Sequence, residues 1–118
     1  MKYEYKIDLI QRGDKKVFYF IVPNEIRILG AFFNYDIQSP DMGKRILQYC
    51  LQVMNGKLDF KSFSSNSCST TINSDYVKIE NRYEEDNICL IETSEFKLLL
   101  EAFIKEKGQY LESIGFYK

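Results

Sequence analysis

Apolar and polar residues alternate at the start of the chain. In residues 2–10, Tyr3, Tyr5, Ile7 and Leu9 fall on one face and Lys2, Glu4, Lys6 and Asp8 on the other, which predicts a strand with one wet face. "RGDK" (12–15) reads as a turn. "KVFYFIV" (16–22) is apolar on both faces and predicts a central strand covered on both sides, paired to the first as a hairpin. Pro23 and Asn24 end it. Residues 25–37 alternate Ile26 and Ile28 with charges, then meet Gly30 and the adjacent Phe32 and Phe33. They predict a third strand, broken or bulged at Gly30.

Helix punctuation follows. Ser39 is a good N-cap, Pro40 suits the first turn, and Asp41 favours the positive helix end. Ile46, Leu47, Cys50, Leu51 and Met54 repeat at helical spacing, and Gly56 is a natural stop. Residues 57–63 alternate again. The Ser/Thr-rich stretch 64–74 predicts a loop or a solvent-facing edge strand. Residues 75–81 and 87–93 predict two strands joined by "RYEED". A second helix then starts at a Thr93 or Ser94 cap with the stripe Phe96, Leu99, Leu100, Phe103 and Ile104, and ends at Gly108. Lys97–Glu101 and Glu101–Lys105 should pair on its wet side. The tail, with Tyr110, Leu111, Ile114, Phe116 and Tyr117, is apolar enough to dock, with a short helical turn. The expected fold is a single α+β domain over 1–118: a mainly antiparallel β-sheet of about five to six strands with two main α-helices packed on it.

Composition agrees with that outline. A chain of 118 residues, 45% hydrophobic and 28% charged, fits one globular domain with a real core. Nine Tyr and nine Phe without Trp favour strands. The net charge of −1 excludes a strongly basic nucleic-acid binder. The balance is uneven, at +3 over residues 1–61 and −4 over residues 62–118. There is no export signal and no window approaching the roughly 18 apolar residues of a membrane span. Cys50, Cys68 and Cys89 are odd in number, widely spaced and without CxxC, so three reduced thiols in a cytoplasmic protein are expected.

The candidate chemistry is sparse. The chain has no histidine. That removes Ser-His-Asp and Cys-His nucleophile arrangements and His-containing metal sites. Neither a P-loop nor GxGxxG occurs. "MGKR" (42–45) puts one Gly before two cations at a helix start, where a phosphate could sit, against the plainer reading of a solvated face. Glu84, Glu85 and Asp86, flanked in sequence by Glu80 and Glu92, could hold a divalent cation, form a solvated hairpin tip, or serve as a contact surface beside Tyr76 and Tyr83. The EF-hand spacing is absent. "LGAFFNY" (29–35) only faintly echoes the RNP1 pattern of RNA-binding sheets, and its aromatics read better as core.

The stretch "ICLIETSEFKLLLEAFIKE" (88–106), a strand ending in Thr-Ser and then an acidic amphipathic helix near the C-terminus, resembles bacterial toxin-immunity proteins. In layout the whole chain is similar to those of contact-dependent growth inhibition systems. The resemblance implies a small cytoplasmic α+β protein, without enzymatic activity or cofactor. Such a protein binds and blocks the C-terminal domain of a cognate toxin, often a nuclease and in several cases one acting on tRNA, without itself touching nucleic acid or membrane. Glu80, Tyr83, Glu84, Glu85 and Asp86 are the expected contact residues. The competing readings are a small-ligand or regulatory module with an aromatic pocket, and a carboxylate-dependent enzyme.

Overall fold

The computed structural model describes residues 1–84 and 87–115. The expected docking of Phe116 and Tyr117 lies outside the described residues. The fold is α+β, as expected, with six antiparallel strands and packed helices. The strands divide into two sheets. β1 (Lys6–Arg12) and β2 (Lys15–Ile21) form a hairpin, and β3 (Phe60–Ser64), β4 (Cys68–Asn73), β5 (Tyr76–Asn81) and β6 (Ile88–Glu92) form a meander in the order β3-β4-β5-β6.

The hairpin is less buried than its composition suggests. β2 buries only Phe18 and Phe20, while Val17, Tyr19 and Ile21 stay partly exposed, so it is not covered on both sides. The first strand also begins later than expected, at Lys6. Residues before it are tied by side chains instead: Tyr3 Oη donates to Glu92 at 3.1 Å, and the Tyr5 ring stacks on Phe20 with centroids 4.7 Å apart. The outer edge of β2 is closed by two polar side chains. Asn34 exchanges hydrogen bonds with the backbone of Phe20, accepting from its N–H at 2.9 Å and donating to its carbonyl at 3.0 Å. Tyr110 Oη donates to the Lys16 carbonyl at 2.9 Å.

Residues 24–36 are helical, not a third strand. A 3-10 turn (Asn24–Ile26) leads into α1 (Arg27–Ala31) and a π-helical turn (Phe32–Asp36). Ile26, Leu29, Phe33 and Ile37 recur every three or four residues and are all buried. The alternation of Ile26 and Ile28 with charges is local and loses to that longer period. Gly30 is no bulge. A Cβ there would lie 2.9 Å from Val22 Cγ2, so glycine lets the segment close against the end of the hairpin.

α2 (Pro40–Met54) is punctuated as expected. The Ser39 hydroxyl accepts from the Met42 N–H at 3.2 Å, and Gly56 follows the helix with φ +83°. Its buried stripe is Ile46, Cys50 and Val53, while Met54 is exposed. Gly43 in "MGKR" faces α3 (Thr93–Ser113): a Cβ would stand 2.9 Å from Ile104 Cγ1. Close helix contact explains that glycine without any phosphate.

Two further expectations change. The Ser/Thr-rich stretch supplies β4, an inner strand, because Cys68, Thr70 and Ile72 alternate inwards and the polar residues between them face out. β-Branched threonine suits such a half-buried pleat. α3 lacks a side-chain cap. Thr93 spends its hydroxyl on the Asn73 carbonyl at 2.7 Å. The helix also continues through Gly108 to Ser113, carrying Tyr110 onto Phe18 with centroids 5.4 Å apart. Lys97 and Glu101 pair at 3.0 Å; the Glu101–Lys105 pair does not form.

Phe96, Leu99, Leu100 and Phe103 are buried as the stripe predicts. Leu99→Ala or Leu100→Ala should each cost about 2–5 kcal/mol in a urea titration. Gly108 sits inside α3 with open space where a Cβ would go. Gly108→Ala should therefore stabilise by about 0.5–1 kcal/mol in the same titration.

Candidate partner-binding surface

A meander whose strands alternate strictly has one dry face and one wet one. Val77, Ile79, Cys89 and Ile91 point inwards onto the helices. The register places Ser62, Thr71, Lys78 and Leu90 in one outward row and Ser64, Ser69, Glu80 and Ile88 in the next. At the far end Tyr76 stands opposite Glu92. Four large side chains on this outer face are exposed: Phe60 (59%), Tyr76 (53%), Ile88 (47%) and Leu90 (62%).

The turn between β5 and β6 extends that face. Tyr83 is 77% exposed, the most open large aromatic among the described residues. Glu80, Tyr83 and Glu84, all expected contact residues, line one groove of about 600 Å³ with Arg82, Asn87 and Ile88. Glu85 and Asp86 lie outside the described residues. Glu92 does not join this group; it sits at the opposite end of β6, paired with Lys2 at 2.8 Å. Cations are interspersed here. Lys78 Nζ stands 3.1 Å from Glu80, so the surface is more mixed in charge than "RYEED" alone suggests.

Arg82 is turned inwards along the surface. Its guanidinium donates to the carbonyls of Ser65 and, at 2.8 Å, Asn66 in the β3–β4 turn. Its own N–H donates to the Ser67 carbonyl at 2.8 Å. That turn is held from beneath by Asp36, which is only 2% exposed. The Asp36 carboxylate accepts from the Ser65 hydroxyl, from the Ser67 hydroxyl at 2.7 Å and from the Ser67 N–H at 3.0 Å. Burial pushes the Asp36 carboxyl up, but the Ser65 and Ser67 hydrogen bonds outweigh it and hold the group below its ordinary value. Sequence reasoning missed Arg82, Asp36, Ile88 and Leu90. The alternation in "NICLIE" (87–92) was a usable signal for the last two, whereas nothing local marks Asp36.

The remaining reactive groups are poorly placed for catalysis. All three cysteines are free and buried, and burial pushes each thiol up, Cys50 to about 11. A thiol so protonated is a poor nucleophile and metal ligand. Among the described residues, no three acidic or cysteine side chains are grouped closely enough to hold a metal ion. The interior that an aromatic ligand pocket would need is filled by rings, with Phe33–Phe103 centroids 5.1 Å apart and Phe20–Phe103 centroids 5.6 Å apart.

A curated protein of Bacillus cereus named "Immunity protein" is 25% identical over 113 residues, which cover 93% of this chain and 92% of that protein. No family model matches the chain, and no solved structure matches it. No helix of the described residues is long and apolar enough to cross a membrane.

The lowered Asp36 value fixes a sign for acid stability. The folded chain holds this proton more weakly than the unfolded chain does. The stabilisation is therefore complete above the ordinary carboxylate value of about 4 and is lost as pH falls through the lower folded value. Asp36→Asn should lower stability by about 1–3 kcal/mol at pH 7. It should also flatten the dependence of stability on pH below about pH 4, as followed by urea unfolding across that range.

Proposed function

We propose that this chain is an immunity protein: it binds a bacterial toxin domain and neutralises it, through the β5–β6 turn and the outer face of the four-stranded sheet. The likeness to the B. cereus protein supports the role because it runs over nearly the whole of both chains. The exposed set Tyr76, Tyr83, Ile88 and Leu90 supports the surface. Aromatic and aliphatic anchors rimmed by polar groups are the usual make-up of a protein–protein contact. Glu80, Tyr83, Glu84, Glu85 and Asp86 form the polar part of this contact in our reading, and Leu90 with Tyr76 the apolar part.

In the finer reading the partner is the C-terminal domain of a contact-dependent growth inhibition toxin entering the cytoplasm, and that toxin is a nuclease, one acting on tRNA being a natural case. A nuclease must hold phosphate in a cationic cleft, and the consecutive acids Glu84, Glu85 and Asp86 would meet such a cleft and steer association. Neutralisation then needs no catalysis, cofactor, nucleic acid or membrane contact by this chain. It needs only that the toxin's substrate surface be covered.

The test uses the cognate toxin domain, to be sought as the C-terminal domain of an exported protein encoded beside this chain. Reversing Glu84, Glu85 and Asp86 to Lys should leave folding nearly intact, slow association about tenfold at low salt, and remove most of the salt dependence of the on-rate. Leu90→Ser should weaken binding about 10–100-fold with little salt dependence. Unchanged binding in both variants would move the interface to another face. A turnover reaction by the isolated chain, with no protein partner captured, would overturn the role.

A further inference from the structure

The geometry points to Arg82 and Asp36 as positioning residues of a latch that joins three segments distant in sequence and holds Arg82 and Tyr83, at the start of the partner-binding turn, in place for binding. A hairpin turn at the end of an exposed sheet is ordinarily tethered by its own strands, and at the β6 side of this one Arg27 also reaches Asn87 at 3.5 Å. Ordering such a turn on binding costs conformational entropy, and a turn already fixed avoids that loss. Here Arg82 and Tyr83, the first residues of the β5–β6 turn, are fixed from the side. The Arg82 guanidinium spans the carbonyls of Ser65 and Asn66, the Arg82 N–H reaches the Ser67 carbonyl, and Tyr83 Oη approaches the Asn66 carbonyl at 3.4 Å.

A latch is only as firm as the piece it engages. Residues 65–67 form a short polar turn with little apolar anchorage of their own. Asp36 supplies it. Placed at the end of the π-helical turn, it presents a buried carboxylate to two hydroxyls and one N–H of that turn. Charge-assisted bonds of this kind are stronger than neutral ones. The chain of contacts therefore runs from the core, through Asp36, Ser65 and Ser67, to Arg82 and Tyr83. Arg82 would thus act on the partner indirectly. Its Nη2 is already directed to two backbone carbonyls, and its charge lies beside the Tyr83 ring, 6.0 Å from the centroid.

The functional half of this proposal rests on the toxin-binding reading; the mechanical half does not. Amide hydrogen exchange of the full chain alone decides the mechanical half. In Arg82→Ala the amide of residue 82, which bonds the Ser67 carbonyl, should exchange about tenfold faster, while the Ile79 amide in mid-strand changes by less than about twofold. Ser67→Ala removes one donor to Asp36 beneath the turn and should give the same local pattern at about threefold. No local acceleration, or equal acceleration at Ile79, would overturn the latch. Ser67→Ala then tests function, because its hydroxyl faces Asp36 rather than a partner. Affinity for the cognate toxin domain should fall about three- to tenfold, mostly through slower association. A loosened turn with unchanged affinity would overturn the positioning role. Failure of that domain to bind wild-type chain would overturn the toxin reading while the exchange result stands.

Discussion

Phe33 on the π-helical turn meets Phe103 on α3 with ring centroids 5.1 Å apart, and Phe103 meets Phe20 of the hairpin at 5.6 Å. These contacts join pieces that cannot stand separately. A two-stranded hairpin is at best marginal in water, and a one-faced four-stranded sheet must cover its apolar side. Residues 24–36 and α3 serve both. Phe96 and Phe103 carry the helix side of the cluster, while Leu29 and Phe32 complete the packing of the helical segment. Rings of this size bury much apolar area, and their tilted and edge-to-face arrangements add to it. The segment between the sheets can therefore be short and irregular and still be fixed.

That arrangement explains which parts of the fold were legible in the sequence. Elements that carry their own punctuation could be read: Ser39 and Gly56 around α2, the Phe96–Leu99–Leu100–Phe103 stripe of α3, and the alternation of β5 and β6. Elements shaped by their neighbours could not. Residues 25–37 look like a strand until Gly30 is seen closing on Val22 and Asn34 is seen occupying the edge of β2. β4 reads as a loop or a solvent-facing edge strand because four of its six residues are Ser, Thr or Asn, yet its inner position is decided by Cys68, Thr70 and Ile72. Its Thr70 hydroxyl finds no partner among the described residues, a local cost that the surrounding packing must offset. Gly108 reads as a helix stop, but Tyr110 has a place to dock beyond it, and tertiary contact overrides propensity.

The candidate surface was half legible for a related reason. Acidic and aromatic residues in a turn announce themselves, and Glu80, Tyr83 and Glu84 do share a groove. What supports them does not. Asp36, Ser65, Ser67 and Arg82 are scattered over some forty-six positions and come together only through the fold. The sequence also exaggerates the acidity of the site, because Lys78 pairs with Glu80 and Arg82 lines the same groove as Glu80 and Glu84.

The exposure on the outer face is selective. The chain closes the edge of β2 with two polar side chains, Asn34 and Tyr110, at Phe20 and Lys16. That is the kind of device by which native proteins keep sheet edges from unwanted pairing. Nothing comparable is done among the described residues for Phe60, Tyr76, Ile88 and Leu90, although the same face carries Ser62, Ser64, Ser69 and Thr71 and shows that polar residues fit there. Scattered single apolar residues on a surface need no explanation. Here they lie on a single pleated face, and Ile88 and Leu90 adjoin the turn that carries the most exposed tyrosine among the described residues. A face with large apolar groups where small polar ones are tolerated, next to a turn braced from the core, has the physical character of a surface kept for a partner.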